Sequence, residues 1–319
     1  MRILFLGTPE FAVPSLAILV ENGYVVVGVV TAPDKAAGRG QKLQVSAVKS
    51  YALELGLKIL QPVRLKDLDF LAEVKSLKAD LGIVVAFRMM PEALFNMPPM
   101  GTFNLHGALL PQYRGAAPIQ RAVMNGEKIT GLTTFFLNHD IDTGKIIFRK
   151  EIEIFPEETG GQLHDRMMKK GAALVLKTVQ AVEAGNFPLT SQENFIAPNE
   201  SLIAAPKIFK ADCRLDFSNS VEKLFNQVRG LSPIPTAYLE IKNASTGELI
   251  GVKVFLAAFE KTTISSFVKV LTDHQSFLKI SAADGMLSIL ELQWPGKKRM
   301  KTAEFLRGFK WDNQWMVVE

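Results

Sequence analysis

Cysteine is nearly missing from this chain: Cys213 is the only one. A lone thiol closes no intrachain disulfide and builds no cysteine-rich metal site, which fits a reducing, cytoplasmic setting. Histidine is scarce too, with four residues in 319, so each can be weighed singly. No apolar run approaches the ~20 residues of a membrane-spanning helix, so no membrane association is expected. The apolar stretch in MRILFLGTPEF is about five residues, short of the ~7–15 of a secretory leader, and is expected as a buried first strand. After that strand comes GTPEFA rather than G-x-G-x-x-G, which gives no support to a nicotinamide or flavin cofactor. Internal repeats and low-complexity tracts are missing as well.

What is present is an alternation of apolar strands and amphipathic helices. At 319 residues the chain is long for one core, and two domains are expected. RILFLG, YVVVGVVT, LKIL, LGIVVAF and TFNL read as strands, the continuously apolar ones as strands buried on both faces. VPSLAILVENG, VSAVKSYALELG and FLAEVKSLK read as helices between them, two of them closed by Gly23 and Gly56. ITGLTTFFLN and GKIIFRKEIEIF are two further strands. The long stretch 160–185 is an amphipathic helix, with Leu163, Met167, Leu174, Val175, Val179 and Val182 on or near one face. The fold class expected is α/β: a Rossmann-like, mostly parallel sheet with helices on both faces, over residues 1–185. Residues 186–208, with three prolines and little periodicity, are expected as a linker. Residues 209–319, after a helix at SVEKLFNQVRGL, read as short strands with turn signals at NASTG and ADG, the pattern of a small OB-like β-barrel.

Charge is uneven between these parts. Residues 206–319 hold 16 Lys and Arg against 12 Asp and Glu, whereas residues 1–205 hold 21 against 20. A basic C-terminal part suggests contact with a polyanion, although charge alone equally describes a solvated lysine-rich surface.

The chemistry is expected where strands of a parallel sheet end. TFNLH brings Asn104 and His106 there, two residues apart and so on one face of the strand. TTFFLNHDIDTG ends a strand with Asp140 and Asp142, placing a carboxylate on a nearby rim. An adjacent carboxylate raises a histidine pKa above ~6.5 and favours imidazolium, while an Asn amide can hold a developing oxyanion. Position 108, beside the histidine motif, is Ala and not Ser, which weakens an acyl-enzyme hydrolase. One His and two Asp lack the spacing of a known metal site, so no metal is expected. The set suits direct transfer of a carbonyl group between two bound substrates. Spacing alone leaves open a polar strand end that only caps the next helix.

FNLHGALLPQYRGAAPIQRAV followed by TGLTTFFLNHDIDTG resembles the folate-dependent formyltransferases, whose signature is Asn-x-His, Leu-Leu-Pro, Arg-Gly and a carboxylate loop. MRILFLGTPEFAVPSL and TAPDKAAGRGQKLQ narrow the resemblance to the branch that acts on initiator methionyl-tRNA, and it runs nearly end to end. The resemblance implies 10-formyltetrahydrofolate as the donor co-substrate and the α-amine of methionyl-tRNA as the acceptor. It implies Asn104, His106 and Asp142 as the catalytic three. Folate contacts are implied at Ala108, Leu109, Leu110 and Pro111, with Phe87, Arg88, Met89, Met90, His139 and Asp140 around the pterin. The loop with Lys35, Arg39 and Lys42 would enter the end of the acceptor stem. Lys297, Lys298, Arg299 and Lys301, with Trp294 and Trp311 near, would meet the phosphate backbone, as would Arg229. Two departures stand out: Ala108, where the family more often has Ser, and Arg88, in a stretch usually more neutral. A formyltransferase acting on an amino sugar nucleotide or another small amine would share the same three residues. A monomer is expected.

Overall fold

Two of the apolar runs form strands buried on both faces, whereas Val25–Val30 leaves Val25 exposed and buries only Gly28, Val29 and Val30 fully. In Leu81–Val85 every residue is buried, and in Arg2–Gly7 all but the first. Residues 1–37, 42–262, 269–312 and 314–318 are described by the computed structural model. They fall into two compact units: Met1–Pro118, Ile129–Glu153 and His164–Ala205 in one, and Ile119–Lys128, Ile154–Leu163 and Pro206–Glu319 in the other.

The first unit is built on a seven-stranded sheet. Its order is Ile146–Glu153, Ile129–Phe136, Thr102–His106, Leu81–Val85, Arg2–Gly7, Val25–Val30, Ile59–Leu60. The last five strands run parallel. Ile129–Phe136 is antiparallel to Thr102–His106, and Ile146–Glu153 is antiparallel to it in turn. Chain order reverses between Arg2–Gly7 and Leu81–Val85, and the carboxyl ends of strands beside such a switch are where α/β sheets bind ligands.

Local chemistry explains the helices. Ser46 starts Ala47–Glu54 by accepting from the Lys49 N–H, and the Asp67 carboxylate accepts from the Asp69 N–H before Leu68–Ser76. Gly23 and Gly56 lie just past two helix ends at φ +77° and +63°. In Gly160–Glu183 the six residues expected on one face are all buried, at 5% exposure or less. Among the described residues no helix is long and apolar enough to cross a membrane.

The stretch 186–208 is more than a linker. Up to Ala205 it is bound to the first unit. Ile146 and Thr190 exchange main-chain hydrogen bonds of 2.9 and 3.0 Å, and Gln192 is 1% exposed. Ala204–Ala205 pairs in parallel with Arg114–Gly115. Main-chain pairing of an irregular segment needs no hydrophobic period, so the sequence carries no pattern that marks it.

In the second unit Val221–Leu231 buries Val221, Leu224, Val228 and Leu231, spaced as one helical face. They join a core with Leu239, Ile241, Val254, Ile280 and Leu287 from an antiparallel sheet. That sheet runs through Ala237–Asn243, Leu249–Lys261, Val270–Thr272, Leu278–Ala282, Gly285–Gln293, Met300–Lys301 and Trp315–Val317, and forms a nearly closed barrel.

Candidate active site

Asn104 and His106 lie on one face of Thr102–His106, opposite Phe135 and Thr133 of the neighbouring antiparallel strand. The two apolar residues between and before them, Phe103 and Leu105, face the other way into the core. Asn104 is half-buried, and among the described residues its amide has no hydrogen-bond partner. His106 is 5% exposed. Its Nε2 lies 2.8 Å from the main-chain carbonyl of Tyr113, and its Nδ1 lies 3.7 Å from Oδ2 of Asp142. A carbonyl only accepts, so Nε2 carries the hydrogen and Nδ1 of the neutral ring faces the carboxylate.

Asp142 reaches this place by an unexpected route. Its strand is antiparallel to the histidine strand, so Phe136 sits opposite Phe103, and the Leu137 N–H donates to the Thr102 carbonyl at 2.8 Å. The strand therefore ends away from the carboxyl edge, and the loop after it doubles back. Gly144 allows this: a Cβ there would lie 1.7 Å from the Phe136 carbonyl oxygen. Asp142 itself adopts φ +54°, and its Oδ2 accepts from the Gly115 N–H at 2.9 Å. Asp140 and His139 stay on the outside of the loop, 79% and 86% exposed.

The electrostatics add a cause that the sequence does not contain. The Asp142 carboxylate does pull the His106 pKa up, as does the Tyr113 carbonyl, but burial of the ring outweighs both and holds it below its ordinary value. The resting imidazole is neutral near pH 7.

The expected folate residues divide. Ala108 and Leu110 are fully buried and Pro111 is buried. The Ala108 carbonyl accepts from the Thr133 hydroxyl at 2.7 Å, and the Leu110 N–H donates to Oγ1 of Thr133 at 3.1 Å. This segment fixes the loop after His106 to the sheet, and of its four residues only Leu109 keeps surface. Ala108 therefore stands at a position whose side chain does not face solvent. Phe87 and Met90 pack partly buried with Leu6, Val30, Val84 and Leu137, while Met89 is 75% exposed. Arg88 is tied down: its guanidinium donates to the carbonyls of Val63, at 2.9 Å, and Pro62. It braces one edge loop against another.

Among the expected tRNA residues, Lys35 is exposed on the strand Lys35–Ala37, and Lys42 begins the paired strand Lys42–Gln44. Arg39 lies outside the described residues. Lys297, Lys298 and Lys301 are exposed. Arg299 is exposed but engaged, paired with Glu291 (Nε–Oε2 2.6 Å) and stacked 4.6 Å over the Phe255 ring. The neighbouring Trp294 packs on Phe305 and Phe309, and Trp311 is buried. Arg229 does not face solvent. It is 7% exposed, and its guanidinium donates to Asn226 (2.7 Å) and to the Glu158 carbonyl (3.2 Å). A helix position that looks like a free cation on charge alone is here a buried brace.

Three contributors lay hidden in the sequence, the Tyr113 carbonyl, Thr133 and Gln192, while Gly115 belongs to the Arg-Gly motif. All three act through or upon the main chain, which no side-chain motif advertises. Gln192 reads as one polar residue in a polar stretch. Among the described residues no group of three or more His, Cys, Asp or Glu has the geometry to hold a metal.

The "Formyl transferase" family matches residues 1–179, and "Formyl transferase, C-terminal domain" matches residues 207–310. A methionyl-tRNA formyltransferase of Bacteroides fragilis is 50% identical over 310 residues, covering 97% of this chain and 95% of that one. One from Flavobacterium johnsoniae is 47% identical over 317 residues, covering 99% of each. Likeness of fold extends to an N-formyltransferase of Helicobacter canadensis, crystallised with folinic acid and dTDP-3-aminofucose. It has a TM-score of 0.64 at 19% identity and covers 94% of this chain and 100% of that one. HypX from Aquifex aeolicus in complex with tetrahydrofolic acid gives 0.62 at 20% identity, covering 98% of this chain and 48% of that one. Two family matches in the right order, and near-complete relatives at about half identity, agree with the site: the chain belongs to the formyl transferase family, among the methionyl-tRNA formyltransferases.

Proposed function

We propose that this protein moves a formyl group from 10-formyltetrahydrofolate to the α-amine of initiator methionyl-tRNA, with Asn104, His106 and Asp142 as its catalytic residues. The single observation that supports the roles is the convergence of a free Asn104 amide and a buried neutral imidazole backed by a carboxylate, at the carboxyl edge of the sheet.

The edge fits a flat, partly apolar donor. Phe87 and Met90 follow the end of Leu81–Val85, Met89 and Ile141 expose apolar surface at 75% and 58%, and Asn104 on the neighbouring strand offers unpaired N–H groups. The folate supplies the formyl carbon as an acyl donor. Asn104 would donate to the formyl oxygen as negative charge develops there, a contribution that does not require the resting site to rearrange. His106, neutral at rest, can take the proton released from the attacking amine at Nδ1, because Nε2–H is already held by Tyr113. Asp142 would stabilise the imidazolium so formed, and His106 can then return the proton to the departing nitrogen. Arg88 would shape the rim through its hold on Pro62 and Val63.

The second unit, residues 209–319 by sequence, would bind the tRNA through exposed Lys297, Lys298 and Lys301, with the loop containing Lys35, Arg39 and Lys42 serving the acceptor end. Incubating the protein with 10-formyltetrahydrofolate and charged initiator tRNA should give N-formylmethionine, and His106→Ala should lower the rate by ~10²–10⁴-fold. Turnover of an amino sugar nucleotide in place of the tRNA would keep the triad and reject the acceptor.

A further inference from the structure

Gln192 begins the turn Gln192–Phe195, fifty residues along the chain from the carboxylate loop, and is 1% exposed. Its Nε2 donates to the carbonyls of Asp142 (2.8 Å) and Gly144 (2.9 Å). Its Oε1 accepts from Nε and Nη2 of Arg114, at 3.0 and 2.7 Å. Both amide hydrogens and both acceptor directions are therefore engaged. The two loops joined in this way are those that fix the carboxylate. One presents Asp142 at φ +54°, a conformation that a non-glycine residue keeps only when its surroundings enforce it. The other contains Gly115, whose N–H holds Oδ2 of Asp142 at 2.9 Å.

We propose that Gln192 is a positioning residue for formyl transfer, one that sets the separation of the Asp142 carboxylate from the His106 ring. The proposal rests on the roles given above to those two residues. Only glutamine fits. Glutamate would turn an oxygen toward two carbonyls, and asparagine is one methylene too short to span both loops. A misplacement of about 1 Å in such a shell costs on the order of 10²-fold in rate.

The test is a double-mutant cycle on the full-length protein: wild type, Gln192→Met, Asp142→Asn and the double variant, each assayed for kcat and both KM values. His106 is titrated in parallel by NMR in wild type and Gln192→Met. Gln192→Met should lower kcat about 10-fold or more while leaving KM for tRNA within about two-fold. It should add almost nothing in the Asp142→Asn background, because residues that act through one another are not additive. Its His106 titration should move to lower pH as the carboxylate's pull weakens. Losses that multiply in the double variant, or an unmoved His106 titration, would reduce Gln192 to a fold-stabilising role. Full activity in Gln192→Met beside loss in Asp142→Asn overturns the positioning role alone. Full activity in Asp142→Asn overturns the reading of the site first, and the proposal with it. Should Gln192→Met fail to fold, as judged by thermal unfolding, Gln192→Asn takes its place with the same outcomes.

Discussion

The Nε2 of His106 donates to the main-chain carbonyl of Tyr113 across 2.8 Å. That bond, between a strand end and a loop residue held at φ +60°, decides which nitrogen of the ring is free for chemistry. It leaves Nδ1, on the side of Asp142, to gain and lose the proton.

The ring should titrate below the ordinary ~6.5 for histidine. Burial is the larger cause, with Asp142 and Tyr113 opposing it. Because the folded-state pKa is lowered, the unfolded chain takes up the proton first. The stability linked to this group is therefore complete above about pH 6.5 and is lost as pH falls below it. Imidazole NMR should find His106 neutral at pH 7, and Asp142→Asn should lower its midpoint further. A midpoint above about 6.5 would mean that the carboxylate, and not burial, dominates at this ring.

Asn104→Ala should remove the donor aimed at the formyl oxygen and lower kcat by ~10²–10³-fold, with little change in KM for tRNA. Steady-state kinetics on a variant that melts like wild type decide this. A loss confined to KM would make Asn104 a binding residue.

Gly115→Ala should be severe. Position 115 sits at φ +128°, and a Cβ would lie 2.5 Å from the Ala205 carbonyl oxygen. Strain of this kind costs on the order of 1–3 kcal/mol before the collision is counted. The N–H that holds Asp142 would shift as well, so Tm and kcat should both fall.

Arg229 and Lys298 should separate stability from nucleic-acid contact. Arg229→Ala deletes buried, charge-assisted bonds to Asn226 and to the Glu158 carbonyl, worth ~1.5–3 kcal/mol each, and should lower Tm by several degrees. Lys298→Ala should leave Tm unchanged and reduce the salt slope of tRNA binding by about one. Calorimetry and a salt titration read the two effects independently.

Much of this protein is legible in its amino-acid order. Apolar runs such as LGIVVAF become strands buried on both faces because nothing polar interrupts them, and the long helix buries the face its period marks. The two-residue spacing of Asn104 and His106 places both on one side of a strand by backbone geometry alone. Matters of energy and of return paths are not legible there. The carboxylate of Asp142 is expected at a rim that its antiparallel strand does not reach, and only the bare Cα of Gly144 lets the loop come back. The neighbouring charge is expected to raise the His106 pKa, yet burial, which depends on every surrounding element, outweighs it. Arg229 is a brace because the Glu158 carbonyl, far along the chain, meets it beside its helix neighbour Asn226, and Gln192 a clamp because of partners dozens of residues away. Local pattern determines which elements form and which side chains share a face. Only the folded chain decides which main-chain groups meet them, because hydrogen bonds and desolvation depend on distances that sequence spacing does not contain.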